Sequence, residues 1–240
     1  MGFEMEWKKV KRTGFIPAFL FGGVLAAAVP VLNMAVRSEV VLGIDAPPIQ
    51  SLLNANWQMM AMLNVLLVVA EACLMYHTEY ADNAMQRMCT LPMKESNLFF
   101  GKFAFMAVMC VVILIIENAA IAFCSFHWFG RTENILVELF QNLGYELLLM
   151  LPAVLCSLLI ASVCINIWVS LGIGVVCVFM ATMLPTDNFI LSLFPFALPF
   201  QIFAGTAKDT VCHFIMAAWI EIVILTMIEV LFLKVRRLFE

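Results

Sequence analysis

Five carboxylates interrupt otherwise apolar runs of this chain: Glu71, Glu117, Glu146, Glu221 and Glu229. An acid held at the centre of a bilayer costs roughly 2.5–3.5 kcal/mol on insertion scales, so it turns toward other protein or a wet cavity. Glu146 and Glu229 fall near the ends of their runs and are expected to reach the interface. Glu117 and Glu221 lie deeper, and Glu71 sits in the inner part of its run. For these three, two readings stay open. They line a polar path or join helices, or they are protonated, hydrogen-bonded structural acids.

Other reactive residue types form no recognisable site. His77, His127 and His213 fall at the ends of apolar runs, and the H-E-x-x-H spacing of a zinc site is absent. The eight cysteines include no C-x-x-C pair. Most lie inside apolar runs, where cysteine acts as a small hydrophobe. No Gly-x-x-x-x-Gly-Lys-Ser/Thr phosphate loop occurs. With no basic stripe and a formal net charge of -4, nucleic-acid binding has no support.

Composition explains where these residues must sit. The chain has 240 residues, 64% hydrophobic and 12% charged, with a mean hydropathy of +1.02. A soluble domain carries roughly 25% charged residues. Lipid is therefore the solvent for most of the surface. About 20 apolar residues cross a bilayer core. Such runs cover 14–36, 55–76, 98–123, 143–163, 168–184 and 212–233. The reading is an all-α polytopic membrane protein with six transmembrane helices in one transmembrane domain, 1–240. The first run continues into further apolar sequence beyond Ala26-Ala27-Ala28, so it reads as retained rather than cleaved. A tight hairpin near Asn166 must separate the fourth and fifth spans, because one helix over both would be about twice too long.

Basic residues orient the bundle. With the N-terminus inside, ten of the 13 lie on the cytoplasmic side: Lys8, Lys9, Lys11, Arg12, Arg87, Lys94, Lys102, Lys234, Arg236 and Arg237. Arg37, Arg131 and Lys208 lie outside. This is the positive-inside pattern, and an even span count also puts both termini in the cytoplasm.

The polar segments carry further information. In the second cytoplasmic segment, Ala81, Ala84, Met85 and Met88 form one helical stripe, opposite Asp82, Asn83, Gln86 and Arg87. Pro92 closes it. Such a short amphipathic helix either transmits force from a soluble partner or merely connects two spans. Residues 4–12, with Trp7 and the lysines, form a second amphipathic stretch suited to the interface. Residues 187–200 are too apolar for a free loop and too broken by Pro195 and Pro199 for a span. They read as re-entrant or capping helices at the outer face, covered by protein. Pro152 suggests a kink, and Gly172 with Gly174 a close helix contact.

The whole chain resembles a permease of the type 2 ABC exporter family, in particular the compact bacterial permeases of bacitracin and lantibiotic self-protection. The resemblance rests on Glu6-Trp-Lys-Lys-Val-Lys-Arg12, Glu79-Tyr80, Leu91-Pro92 and Phe99-Phe-Gly-Lys102. The fourth–fifth hairpin, Leu193-Phe-Pro195 and the tail Lys234-Val-Arg-Arg237 extend it. It implies that Glu79, Tyr80, Ala81, Asp82, Asn83, Ala84, Met85, Gln86, Arg87 and Met88 form a coupling helix that docks in an ATPase cleft. Relatives often carry a Gly-Thr pair where this chain has Asn83-Ala84-Met85-Gln86. The translocation-path candidates become Glu71, Glu117 and Glu221. The implied setting is the bacterial cell membrane, with a separate ABC ATPase subunit holding ATP and magnesium and no cofactor in this chain. A second permease, homodimer or sister subunit, is also implied, with an amphipathic peptide substrate such as a lantibiotic or bacitracin. Two other classes compete: an intramembrane enzyme using the buried carboxylates, and a non-catalytic accessory or sensor subunit. The enzyme reading lacks a paired-acid signature around Glu117 and Glu221.

Overall fold

A computed structural model describes residues 7, 9, 14–81, 95–130, 135–184 and 188–239. Among them the regular structure is entirely helical. We label the helices α1 (Phe15–Leu42), α2 (Pro48–Ala81), α3 (Glu95–Cys124), α4 (Ile135–Val163), α5 (Ile167–Met183), α6 (Phe189–Ser192) and α7 (Lys208–Phe239). A π-turn at Ser125–Phe129 extends α3, and a 3-10 turn at Leu198–Phe200 follows α6.

Among the described residues, five helices are long and apolar enough to cross a membrane: α1, α2, α3 with its π-turn, α4 and α7. The shorter α5, also apolar, has 17 residues, or about 25 Å at 1.5 Å per residue.

Several helices outrun the apolar segments that announce them. Residues 37–54, polar enough to read as one connection, are helical over most of their length. α1 kinks at Arg37, where the backbone leaves helical angles (φ -130°, ψ 33°), and resumes to Leu42, where the N–H of Gly43 caps Glu39 and Val41; α2 already begins at Pro48. Hydrophobicity marks where lipid is; caps and proline decide where a helix stops. Pro48 at the first helical position needs no N–H partner there.

The hairpin at Asn166 is present. Residues 164–166 are non-helical, and the Asn166 side chain accepts a hydrogen bond from the Trp168 N–H at 3.0 Å, capping α5. Pro152 lies buried inside the continuous helix α4.

α2 and α4 form the centre, with 61% of their most apolar stretches buried, against 33% for α1 and 22% for α7. Two glycines within helices permit close approaches between spans. A Cβ on Gly23 of α1 would lie 2.5 Å from Cγ2 of Ile113 on α3. One on Gly174 of α5 would lie 2.3 Å from Cγ1 of Val69 on α2. Gly172 has open space, so of the two glycines read as a contact pair only Gly174 makes one.

Polar bonds mark two ends of the bundle. At one, Lys9, the end of α2 and the start of α3 meet at Glu79. The Tyr80 hydroxyl donates to the Ser162 carbonyl of α4 at 2.7 Å. At the other, Trp57 Nε1 of α2 donates to the Pro199 carbonyl at 3.0 Å, and Gly205 abuts Gln50. Phe196, Ala197, Leu198 and Phe200 are buried there. The second half of the proline-broken segment therefore packs under protein, whereas Phe189, Ile190 and Leu191 in its first half are exposed.

Candidate functional site

Three places hold the residues singled out by sequence. The first is the root of the amphipathic segment. Glu79 is 3% exposed and Lys102 is 1% exposed. Lys102 Nζ donates to Glu79 Oε1, and Lys9 Nζ donates to the same oxygen at 2.9 Å. Lys102 also stands 5.2 Å from the centre of the Tyr76 ring. Helix α2 puts Tyr76, Glu79 and Tyr80 within little more than one turn, so α3, α4 and the N-terminal segment are all gripped at its last turn. Ala81 closes α2. Asp82, Asn83, Ala84, Met85, Gln86, Arg87 and Met88 lie outside the described residues.

The second place is a carboxylate–amide cluster at membrane depth. Asn64 Nδ2 of α2 donates to Glu117 Oε2 of α3 at 2.9 Å. The next residue, Asn118, donates to Glu146 Oε2 of α4 at 3.1 Å, and Asn142 Nδ2 donates to Glu146 Oε1. Glu117 and Glu146 are near enough for their charges to interact. Exposure is 0% for Glu117 and 4% for Glu146. Contrary to the expectation from its position in the run, Glu146 does not reach an interface. α4 starts at Ile135, which moves Glu146 three turns into the helix and onto its packed face. Glu229 also differs from expectation: it is 0% exposed, with Ser162 Oγ 3.4 Å from its Oε2.

The remaining path candidates stand apart. Glu71 is buried, with no hydrogen-bond partner for Oε2 among the described residues. Glu221 on α7 is half-buried, near Cys156, and neither of its oxygens has such a partner. No hydrogen bond joins Glu71, Glu117 and Glu221 among the described residues. Sequence reasoning missed Asn64, Asn118 and Asn142, which supply every amide donor to the Glu117–Glu146 pair. The i, i+4 spacing of Asn142 and Glu146 was the available signal.

The third place is the end of the bundle closed by 188–206. Two cavities meet there and share Gln50, Ala204, Gly205 and Thr206. One, of about 340 Å³, is also lined by Glu138, Asn142, Phe203 and Lys208. The other, of about 440 Å³, adds Asn54, Phe189 and Phe214. Aromatic faces, carboxamides and one charge of each sign suit an amphipathic occupant. Asn142 joins this end to the carboxylate cluster, lining the first cavity while bonding Glu146.

His127 stacks on Phe123, and His213 meets the edge of Phe189. Among the described residues, no three His, Cys, Asp or Glu side chains gather as a metal site would require.

Compared with known proteins, residues 3–181 match a family model described as "ABC-2 family transporter protein". No curated protein and no solved structure matches.

Proposed function

The chain belongs to the ABC-2 family of transporter proteins, and from that premise we propose that it is the permease subunit of an ATP-driven exporter in a bacterial cell membrane. Membership makes it a multi-pass membrane component of a transporter, not itself catalytic, and implies an ABC ATPase partner in general. In the proposed arrangement it crosses the membrane six times with both termini cytoplasmic. α5 makes the fifth crossing, leading from the Glu79 end to the end closed by 188–206. The ten-to-three distribution of basic residues supports this orientation.

The observation that carries the coupling role is the grip on the last turn of α2. A segment that receives force from an ATPase must hand it to the spans. Glu79 and Tyr80 tie the start of 79–88 to α3, α4 and the N-terminal segment by an ion pair and a hydrogen bond. A push on 79–88 then moves three helices together. ATP and magnesium are held by the partner ATPase, and a second permease, identical or a sister subunit, completes the path.

The proposed substrate is a membrane-active peptide of the lantibiotic or bacitracin type, expelled outward. Support comes from the mixed aromatic and polar lining of the cavities under 188–206. The test is to co-purify the chain with its ATPase and measure hydrolysis in lipid vesicles against a panel of such peptides, together with inhibitory doses for cells making both subunits. Peptide-stimulated hydrolysis and a raised dose are expected. Unchanged hydrolysis and dose across the panel refute the substrate class, and failure to bind an ATPase refutes the permease role.

A further inference from the structure

Glu117 and Glu146 present an electrostatic problem that the bonds around them do not solve. They sit on α3 and α4, brought together by Asn118, which follows Glu117 and donates to Glu146, and both are buried. Their hydrogen-bond donors are neutral amides: Asn64 for Glu117, and Asn118 with Asn142 for Glu146. No ion pair reaches either acid among the described residues. Two like charges at this depth cannot both persist without a counter-charge.

The ionisable groups on the surrounding helices do not supply one. α1 carries none between Phe15 and Val36. α2 offers Glu71, two turns from Asn64. On α3 the near neighbour is Cys110. α4 has Glu138, Tyr145, whose hydroxyl is buried without a partner among the described residues, and Cys156. α5 has Cys177, and α7 has Lys208, Glu221 and Glu229. Lys208 is a cation and lines the cavity with Glu138 and Asn142, but it forms no ion pair with Glu117 or Glu146 among the described residues.

The two carboxyl groups are not equivalent. Both oxygens of Glu146 accept an amide N–H, the pattern that favours a carboxylate. Glu117 accepts one, and its Oε1 is buried with no partner among the described residues, whereas the Oδ1 atoms of Asn64, Asn118 and Asn142 are alike in having none. Because amide nitrogens rather than oxygens are turned to the acids, the set is built around carboxyl groups and not as an oxygen cage for a metal cation.

We infer that Glu117 and Glu146 form a proton-binding site, with the proton on Glu117 and Glu146 as the carboxylate beside it, loaded from the cavity that Asn142 lines. In the step an O–H bond of a hydronium ion in that cavity breaks, leaving water, and the proton passes by way of Glu146 to form an O–H bond at a Glu117 carboxylate oxygen. The charge of the pair falls from two negatives to one. No other reactant is needed. Asn142 is the link, since it lines the cavity and donates to Glu146. The inference does not depend on the exported substrate or on the ATPase.

Infrared spectroscopy of the full chain in lipid vesicles, at neutral pH and after a step to alkaline pH, tests it. The carbonyl stretch of a protonated, buried carboxylic acid is expected in the wild type. It should be lost in Glu117→Gln and retained in Glu71→Gln and Glu221→Gln. In Asn64→Val it should move to higher wavenumber, because the carbonyl loses its amide donor; this second variant guards against a fold defect in the first. A band that survives Glu117→Gln, or vanishes with Glu71→Gln or Glu221→Gln, overturns the assignment. So does a sodium- or potassium-dependent gain in melting temperature at constant pH that Glu117→Gln abolishes, which would make the pair a metal-cation site.

Discussion

Replacing Glu79 by Gln isolates the buried charge pair at the root of the amphipathic segment. The change keeps the shape of the side chain and removes its charge. Lys102, 1% exposed, then keeps its ammonium group in the protein without the carboxylate it donates to. Breaking a buried pair from one side costs about 3–5 kcal/mol. The Tyr76 ring, 5.2 Å from Nζ, offsets part of this, since a desolvated cation–π contact is worth about 2 kcal/mol. The expected loss is about 3 kcal/mol, or about a hundredfold in the unfolding equilibrium. Lys9 is the internal control. It bonds the same Glu79 oxygen at 2.9 Å, but its side chain is 34% exposed. Lys9→Met is expected to cost about 1 kcal/mol or less, as for surface pairs. The double variant Glu79→Gln/Lys102→Met removes both buried charges and should recover most of the loss. The assay is reversible unfolding in mixed detergent micelles, with the wild type, Glu79→Gln, Lys102→Met and their double variant as a double-mutant cycle and Lys9→Met measured beside it. If Glu79→Gln costs no more than Lys9→Met and the double variant recovers nothing, the pair is solvated and the grip on α2 is not electrostatic.

Three further outcomes are expected. Gly174→Val should destabilise the bundle by about 1–3 kcal/mol through overpacking against Val69, whereas Gly172→Val, in open space, should change it by about 0.5 kcal/mol or less; unfolding midpoints compare them. Single-cysteine variants in intact cells should react with an impermeant maleimide at Cys212, which is exposed near the start of α7, and not at Cys89; labelling of Cys89 from outside would invert the topology. Met85→Asp should leave membrane insertion intact and abolish ATPase co-purification or substrate-stimulated hydrolysis, because an unpaired charge in a buried contact costs several kcal/mol, while Asn83→Ala should be milder; full binding and stimulation by Met85→Asp would reduce 79–88 to a connector.

Sequence alone determined the helical class, the apolar runs and the turn at Asn166. Those properties are local: a backbone in lipid must bond to itself, and a cap or a proline acts on its own turn. The apolar, proline-broken segment 187–200 could likewise be read as protein-covered, which holds for its second half, where Phe196 to Phe200 are buried. Which side of each helix faces inward was not legible. Lipid tails are as apolar as a leucine core, so an embedded helix need not show the stripe that water imposes on a soluble one. That is why Glu146 and Glu229 looked like boundary residues and are instead buried. It is also why Lys102 read as a topology signal rather than the partner of Glu79. The same ambiguity hid Asn64, Asn118 and Asn142 among apolar neighbours, each beyond a sequence pattern's reach except the Asn142–Glu146 spacing. Tertiary packing decided these pairings, because a buried acid takes its donors from whichever segment lies against it, and the donors of Glu79, Glu117 and Glu146 on other segments are 23 to 70 residues away in the chain.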